Sequence, residues 1–178
     1  NPVAGILMSH DLDFSFDVSV SGEQLLDGNG QLGRVAWLSK RIRRDDFFLL
    51  QDGSYSKLLF SELLQCYVAG HFIATCVLGF SLIARTIAGR LSFIGDPAAA
   101  RYKSEDLLNV ARDQGWLSES EFQKLDALRA TRNPIVHFRA PLSSSRPEVK
   151  AAIAGRSTAQ LLECDAKAIL DAAIHVLK

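Results

Sequence analysis

Arg132, Asn133 and His137 lie within the run Arg-Asn-Pro-Ile-Val-His, and their types suit the chemistry of a phosphodiester. A guanidinium is planar, permanently charged and able to hold two phosphate oxygens at once. An imidazole exchanges a proton near neutral pH. The Asn133 amide can orient the imidazole or hydrogen-bond a phosphate or ribose hydroxyl. Together these groups could cleave RNA without a metal. Helical geometry sets a condition: five residues along an ideal helix rotate the side chain by about 500°, leaving Arg132 and His137 roughly 140° apart. Pro134 relaxes it, because proline removes the donor to the Ala130 carbonyl and crowds that turn, so a kink can draw the two side chains together. A second copy of the chain would go further and form one cleft from two helix ends. The plainer alternative pairs Arg132 with an acid such as Asp126 or Glu163 and leaves His137 a hydrogen-bonded residue at a helix end. Spacing alone leaves both open.

The elements that must position these residues read as helices. A serine at 54 or 56 can cap a long apolar helix running to about Gly89 or Leu91. Gly95-Asp96-Pro97 breaks the chain. Ser104 opens a second helix as N-cap, with Glu105 and Asp106 in the first turn where negative charge suits the dipole, and Gly115 ends it. Ser118-Glu119-Ser120-Glu121 is a capping box that starts a third helix, with Phe122, Leu125, Leu128 and Ile135 as its core contacts. Residues 141–158 carry Pro141, three consecutive serines, Arg146-Pro147 and Gly155, the composition of a long connection with one helical turn at Glu148 to Ala154. The last helix spans about Thr158 to Leu177, its inner face built from Leu161, Leu162, Ala168, Ile169, Ala172, Ala173 and Val176.

The first fifty-odd residues read differently. Leu12 to Val20 alternates, with Leu12, Phe14, Phe16, Val18 and Val20 on one face, as a half-buried strand does. Its partner could come from residues 4–9, 34–38 or 46–50, or from a second chain. Asp27-Gly28-Asn29-Gly30 is turn chemistry, and with Gly33 it also spells a Gly-x-Gly-x-x-Gly pattern. A dinucleotide site would need that pattern inside a strand–helix–strand unit, whereas the rest of the chain shows only helical periodicity. The chain therefore divides at residue 55 into an N-terminal extension, 1–54, and a helical domain, 55–178.

Composition places the protein among ordinary folded chains, since 48% of its 178 residues are hydrophobic and 22% charged. Lys plus Arg and Asp plus Glu both total 20, so RNA contact must come from a local patch. Lys40, Arg41, Arg43 and Arg44 form the densest cluster, and Arg129 and Arg139 flank the motif. These six are the candidate backbone contacts, a solvated face being the bland alternative. Cys66, Cys76 and Cys164 match neither a zinc site nor a disulfide framework. No metal or other cofactor is implied. Leu63 to Ala84 carries no formal charge and is long enough to cross a bilayer, but Gln65, His71, Thr75 and Ser81 interrupt it, which suits the central helix of a bundle. With no signal-peptide pattern, the expectation is a cytoplasmic protein without a membrane span.

Leu107 to Arg139, with Leu-Leu-Asn-Val-Ala-Arg, Gly-Trp-Leu-Ser-Glu and Leu-Asp-Ala-Leu-Arg-Ala-Thr-Arg-Asn-Pro-Ile-Val-His-Phe, resembles the C-terminal half of a HEPN domain. That family's signature is Arg, a polar residue, a few more positions and then His, after a helix of Leu-x-x-Leu-Arg-x-x-Arg-Asn type. The resemblance extends over roughly residues 55–178. It implies an all-α up-and-down bundle of four to five helices that dimerises with the two motifs facing each other. It also implies metal-independent cleavage of RNA to a cyclic phosphate, in a toxin or a defence or stress ribonuclease with an antitoxin or regulatory protein as partner. Arg132 would hold the phosphate, His137 would act as general base or acid, and Asn133 would support them. The resemblance is equally met by a noncatalytic module that binds nucleotide, RNA or protein. Two features set this chain apart. No Asp or Glu occurs from Gln65 through Gly95, where many relatives carry an acid in the central helix. Arg139 stands where some toxin members have the Tyr that a nucleotidyltransferase modifies.

Overall fold

The computed structural model describes residues 28–43, 46, 53–137, 139–140 and 142–178. The expected strand at 12–20 and the residue Arg44 lie outside them. The described residues form seven helices, α1 Gly28–Ser39, α2 Gly53–Val68, α3 Phe72–Phe93, α4 Ser104–Asp113, α5 Glu119–Val136, α6 Pro147–Ile153 and α7 Thr158–Leu177, with no strand among them.

The helices differ from expectation in two places. The single helix expected from Ser54 or Ser56 to Gly89 or Leu91 is two, α2 and α3, reversed at Gly70. That residue has φ +82°, a conformation glycine adopts without the steric cost a side chain brings. The His71 N–H reaches back to the Cys66 carbonyl at 2.8 Å and the Gly70 N–H to the Tyr67 carbonyl at 3.0 Å, the paired bonds that close a helix at a left-handed glycine. The turn expected at Asp27 to Gly30 gives way to helix from Gly28 onward, and residues 34–38, offered as a strand partner, are helical. Tertiary anchors override the poor helix propensity of three glycines. Leu38 is buried in the common core, the Trp37 ring lies 5.2 Å from that of Tyr67, and Arg34 donates from Nε to the Val68 carbonyl at 2.9 Å. Thus α1, which precedes the boundary expected near residue 55, packs into the helical body.

α3 is the hub, packed against α2, α4, α5 and α7. A Cβ built on Gly79 would meet the Leu63 side chain of α2 at 3.4 Å and that of Ile169 of α7 at 2.5 Å, so this glycine is where side chains of α2 and α7 pack onto the α3 backbone. Tyr55 stacks on Arg85, so α2 and α3 run antiparallel. Arg90 donates to the Val176 carbonyl at 2.7 Å; with Gly79 against Ile169, this makes α3 and α7 parallel. Glu121 at the start of α5 meets His175 near the end of α7 and Arg132 near its end meets Phe80 in the first half of α3, so α5 opposes both and α2, α3, α5 and α7 alternate in direction. By length and composition α3 is the one described helix that could cross a membrane; 44% of its apolar window is buried within the fold, an arrangement compatible with the core helix of a soluble protein.

α5 is anchored at both ends. Ser118 caps it as expected: its hydroxyl accepts from the Glu121 N–H at 3.3 Å, and the Ser118 N–H donates to the Glu121 carboxylate at 2.7 Å. Leu125 and Leu128 are buried, and Phe122 and Ile135 pack at the core margin. At α4 the cap is Lys103, so Ser104 is the first helical residue. The Lys103 backbone N–H donates to the Asp106 carboxylate at 3.2 Å. The serine-rich connection holds α6, close to the expected turn at Glu148 to Ala154.

Candidate functional site

Arg132 and Asn133 occupy the last turns of α5, Pro134 is inside the helix, and His137 is the C-cap with extended backbone, φ −119° and ψ 135°. The proline removes one donor, yet the helix closes over it: the His137 N–H still reaches the Asn133 carbonyl at 3.0 Å.

Arg132 is partly buried, with its guanidinium carbon 5.8 Å from the centre of the Phe80 ring on α3. Asn133 Oδ1 lies 3.5 Å from Nη1, at the outer limit of a hydrogen bond. The buried Nε has no hydrogen-bond partner. Neither acid offered as its neutraliser is used: Asp126 bonds Arg129 Nε at 2.7 Å, and Glu163 pairs with Lys167 at 2.7 Å. α3 contains no Asp or Glu. It therefore presents an aromatic face to this cation, and the anion-binding capacity of Arg132 is not consumed by a carboxylate among the described residues.

The exposed side chain of His137 makes no hydrogen bond or ion pair among the described residues, and nothing there fixes its ring. Its neighbour in sequence, Phe138, lies outside the described residues. Within one chain, then, the fold brings Arg132 and Asn133 together and leaves His137 beyond the helix end.

The flanking basic residues fall into two groups. Arg129, one turn before Arg132, is engaged by Asp126 and by Glu105 of α4 at 3.3 Å, so it stitches α4 to α5. Arg41 is likewise committed: it bonds Asp171 of α7 at 2.6 Å and stacks on Trp37 at 3.6 Å. Lys40, Arg43 and Arg139 are exposed and can meet a polyanion. The three cysteines are free thiols, and burial pushes that of Cys76 up to about 12. No group of three His, Cys, Asp or Glu side chains able to hold a metal comes together among the described residues.

A cavity of about 250 Å³ at the other end of α5 is lined by Arg90, Trp116, Glu121, His175 and Lys178 over apolar walls. The sequence offers no signal for it beyond the capping role of Glu121, because its residues come from separate elements. No protein-family model matches the chain, and no curated protein or solved structure matches it.

Proposed function

We propose that the chain is a HEPN-type helical module that cleaves RNA without a metal, in a site completed by a second copy. The observation that supports this most is the Arg132 guanidinium, partly buried and unneutralised by any acid among the described residues, beside Asn133 and just ahead of an exposed histidine. A cation held in low dielectric binds an anion more strongly than one in water, and a bidentate phosphate contact would satisfy the orphaned donor.

In the proposed reaction an RNA 2′-hydroxyl gives its proton to a neutral His137 imidazole, and its oxygen bonds the adjacent phosphorus. The bond from phosphorus to the 5′-oxygen breaks, its electron pair staying on that oxygen. The 5′-oxygen takes up that proton from the imidazolium so formed on His137, which returns to its neutral form. The products are a 2′,3′-cyclic phosphate and a free 5′-hydroxyl, and atoms and charges balance. Arg132 offsets the charge that grows on the phosphoryl oxygens.

A second reading, a noncatalytic module that binds RNA, nucleotide or a protein, is favoured by the exposed, unoriented His137 and by an aromatic ring where a carboxylate would support the site. Cleavage and binding of a labelled RNA by the parent, Arg132→Ala and His137→Ala separate the two. The nuclease reading requires turnover that both substitutions abolish. Binding without turnover, lost in Arg132→Ala and retained in His137→Ala, selects the second.

A further inference from the structure

The cavity at the N-terminal end of α5 shares Arg90 and Trp116 with an adjoining open groove of about 320 Å³, whose remaining lining is Phe93 and Ile94. Phe93 is 85% exposed and Ile94 56%, an apolar shelf continuous with a polar pocket. The cavity alone has room for roughly eight waters, the scale of a small organic acid.

The charges in it are not equivalent. Glu121 is saturated: its carboxylate accepts from the Ser118 N–H at 2.7 Å and hydroxyl at 2.6 Å, and lies 2.7 Å from His175 Nε2. Lys178 bonds Asp46 at 2.8 Å. Arg90, by contrast, donates to a neutral carbonyl, that of Val176, at 2.7 Å. Its guanidinium has five donors in a fixed fork and lines both the cavity and the groove. Among the described residues, the balance is one cation opposed by no carboxylate of its own, beside an indole and an apolar shelf. Pockets that pair a few placed polar groups with apolar walls are where small ligands bind.

We infer that this end of the bundle binds a small amphipathic monoanion, its acid group on Arg90 and its apolar body against Trp116 and Phe93. The site stands apart from the Arg132 motif and does not depend on its role. An aromatic acid and an aliphatic acid share this chemistry, so both are used as probes. The full chain is titrated with 2-naphthoate and with octanoate, followed by calorimetry and tryptophan emission, with 2-naphthalenemethanol and inorganic phosphate as controls lacking the charge or the apolar body. Saturable binding of at least one acid in roughly the millimolar range or tighter, with both controls about tenfold weaker, is expected. Quenching with the naphthoate alone identifies an aromatic ligand, and binding of octanoate an aliphatic one. Arg90→Gln should weaken binding about tenfold. Because Arg90 also anchors α7, Phe93→Glu serves as a second variant: that exposed position can take a charge without touching the core, and the charge should repel the acid. No saturable binding by either acid, equal binding of the neutral alcohol, or unchanged affinity in Phe93→Glu overturns the inference.

Discussion

Arg132 sits over the Phe80 ring, 5.8 Å from guanidinium carbon to ring centre, while Arg129, one turn earlier on the same helix, holds two carboxylates. Two arginines of one helix face thus have opposite tasks. Arg129→Ala should lower stability, by up to about 1 kcal/mol for an ion pair still open to solvent. Arg132→Ala removes an unpartnered buried donor, so thermal unfolding should change little or shift upward, while RNA affinity falls about ten- to a hundredfold, the worth of one charge-assisted contact. Melting curves and RNA titrations on both variants check this; equal losses of stability would remove the distinction.

Glu121 makes acid stability a readout of the α5 cap. Hydrogen bonds from Ser118, first through its hydroxyl and then its backbone, with His175 after them, hold the carboxyl at about 2 against its usual 4.5. The unfolded chain therefore binds this proton at higher pH than the folded one. The contribution is complete above pH about 4.5 and is lost as pH falls toward 2. In denaturant titrations across that window, Glu121→Gln should flatten the acid-side slope. Ser118→Ala, which removes the hydroxyl that donates to this carboxylate, should reproduce much of that effect.

The features read correctly from sequence are local. Ser118 and Glu121 stand three residues apart and satisfy each other, so residue type and spacing suffice to place the start of α5. Arg132 and Asn133, adjacent in sequence, come together for the same reason. What was missed depends on distance. Arg41 and Asp171 are 130 positions apart, and that bond fastens the turn after α1 to α7. α1 itself was hidden because its glycines favour turns while its anchors lie on α2 and α7. Gly70 was hidden within an uncharged run whose apolar pattern continues on both sides of the reversal. With φ +82°, Gly70→Ala should cost about 1–2 kcal/mol for the left-handed conformation, measurable by chemical denaturation.

Gly79 tests how α2, α3 and α7 meet. An added Cβ would stand 2.5 Å from Ile169 Cγ2, and Ile169 is fully buried, so its branch cannot swing into solvent. Overpacking of this kind costs about 1–3 kcal/mol, against about 1 kcal/mol gained from replacing a helical glycine. Gly79→Ala should therefore destabilise the parent. In an Ile169→Ala background the clash is gone and only the helical gain remains, so the same substitution should become neutral or stabilising. A double-mutant cycle showing simple additivity would mean the two residues are not in contact.

The exposed position of His137 beyond α5 makes the strongest demand on the proposed nuclease. If the cleft is composite, Arg132 from one copy and His137 from the other can act on the same phosphate, so neither needs to reach its own chain's partner. Arg132→Ala and His137→Ala proteins should each be inactive alone. Unfolded together and refolded as a mixture, they form species that retain one intact Arg132 and one intact His137 facing a shared cleft. Cleavage should return in proportion to the mixed species and should be absent when the two are combined without exchange. Recovery would place the two groups in one site across the interface. A mixture that stays inactive although mixed dimers are present would show that each chain must supply both residues itself, which the place of His137 beyond the end of α5 argues against.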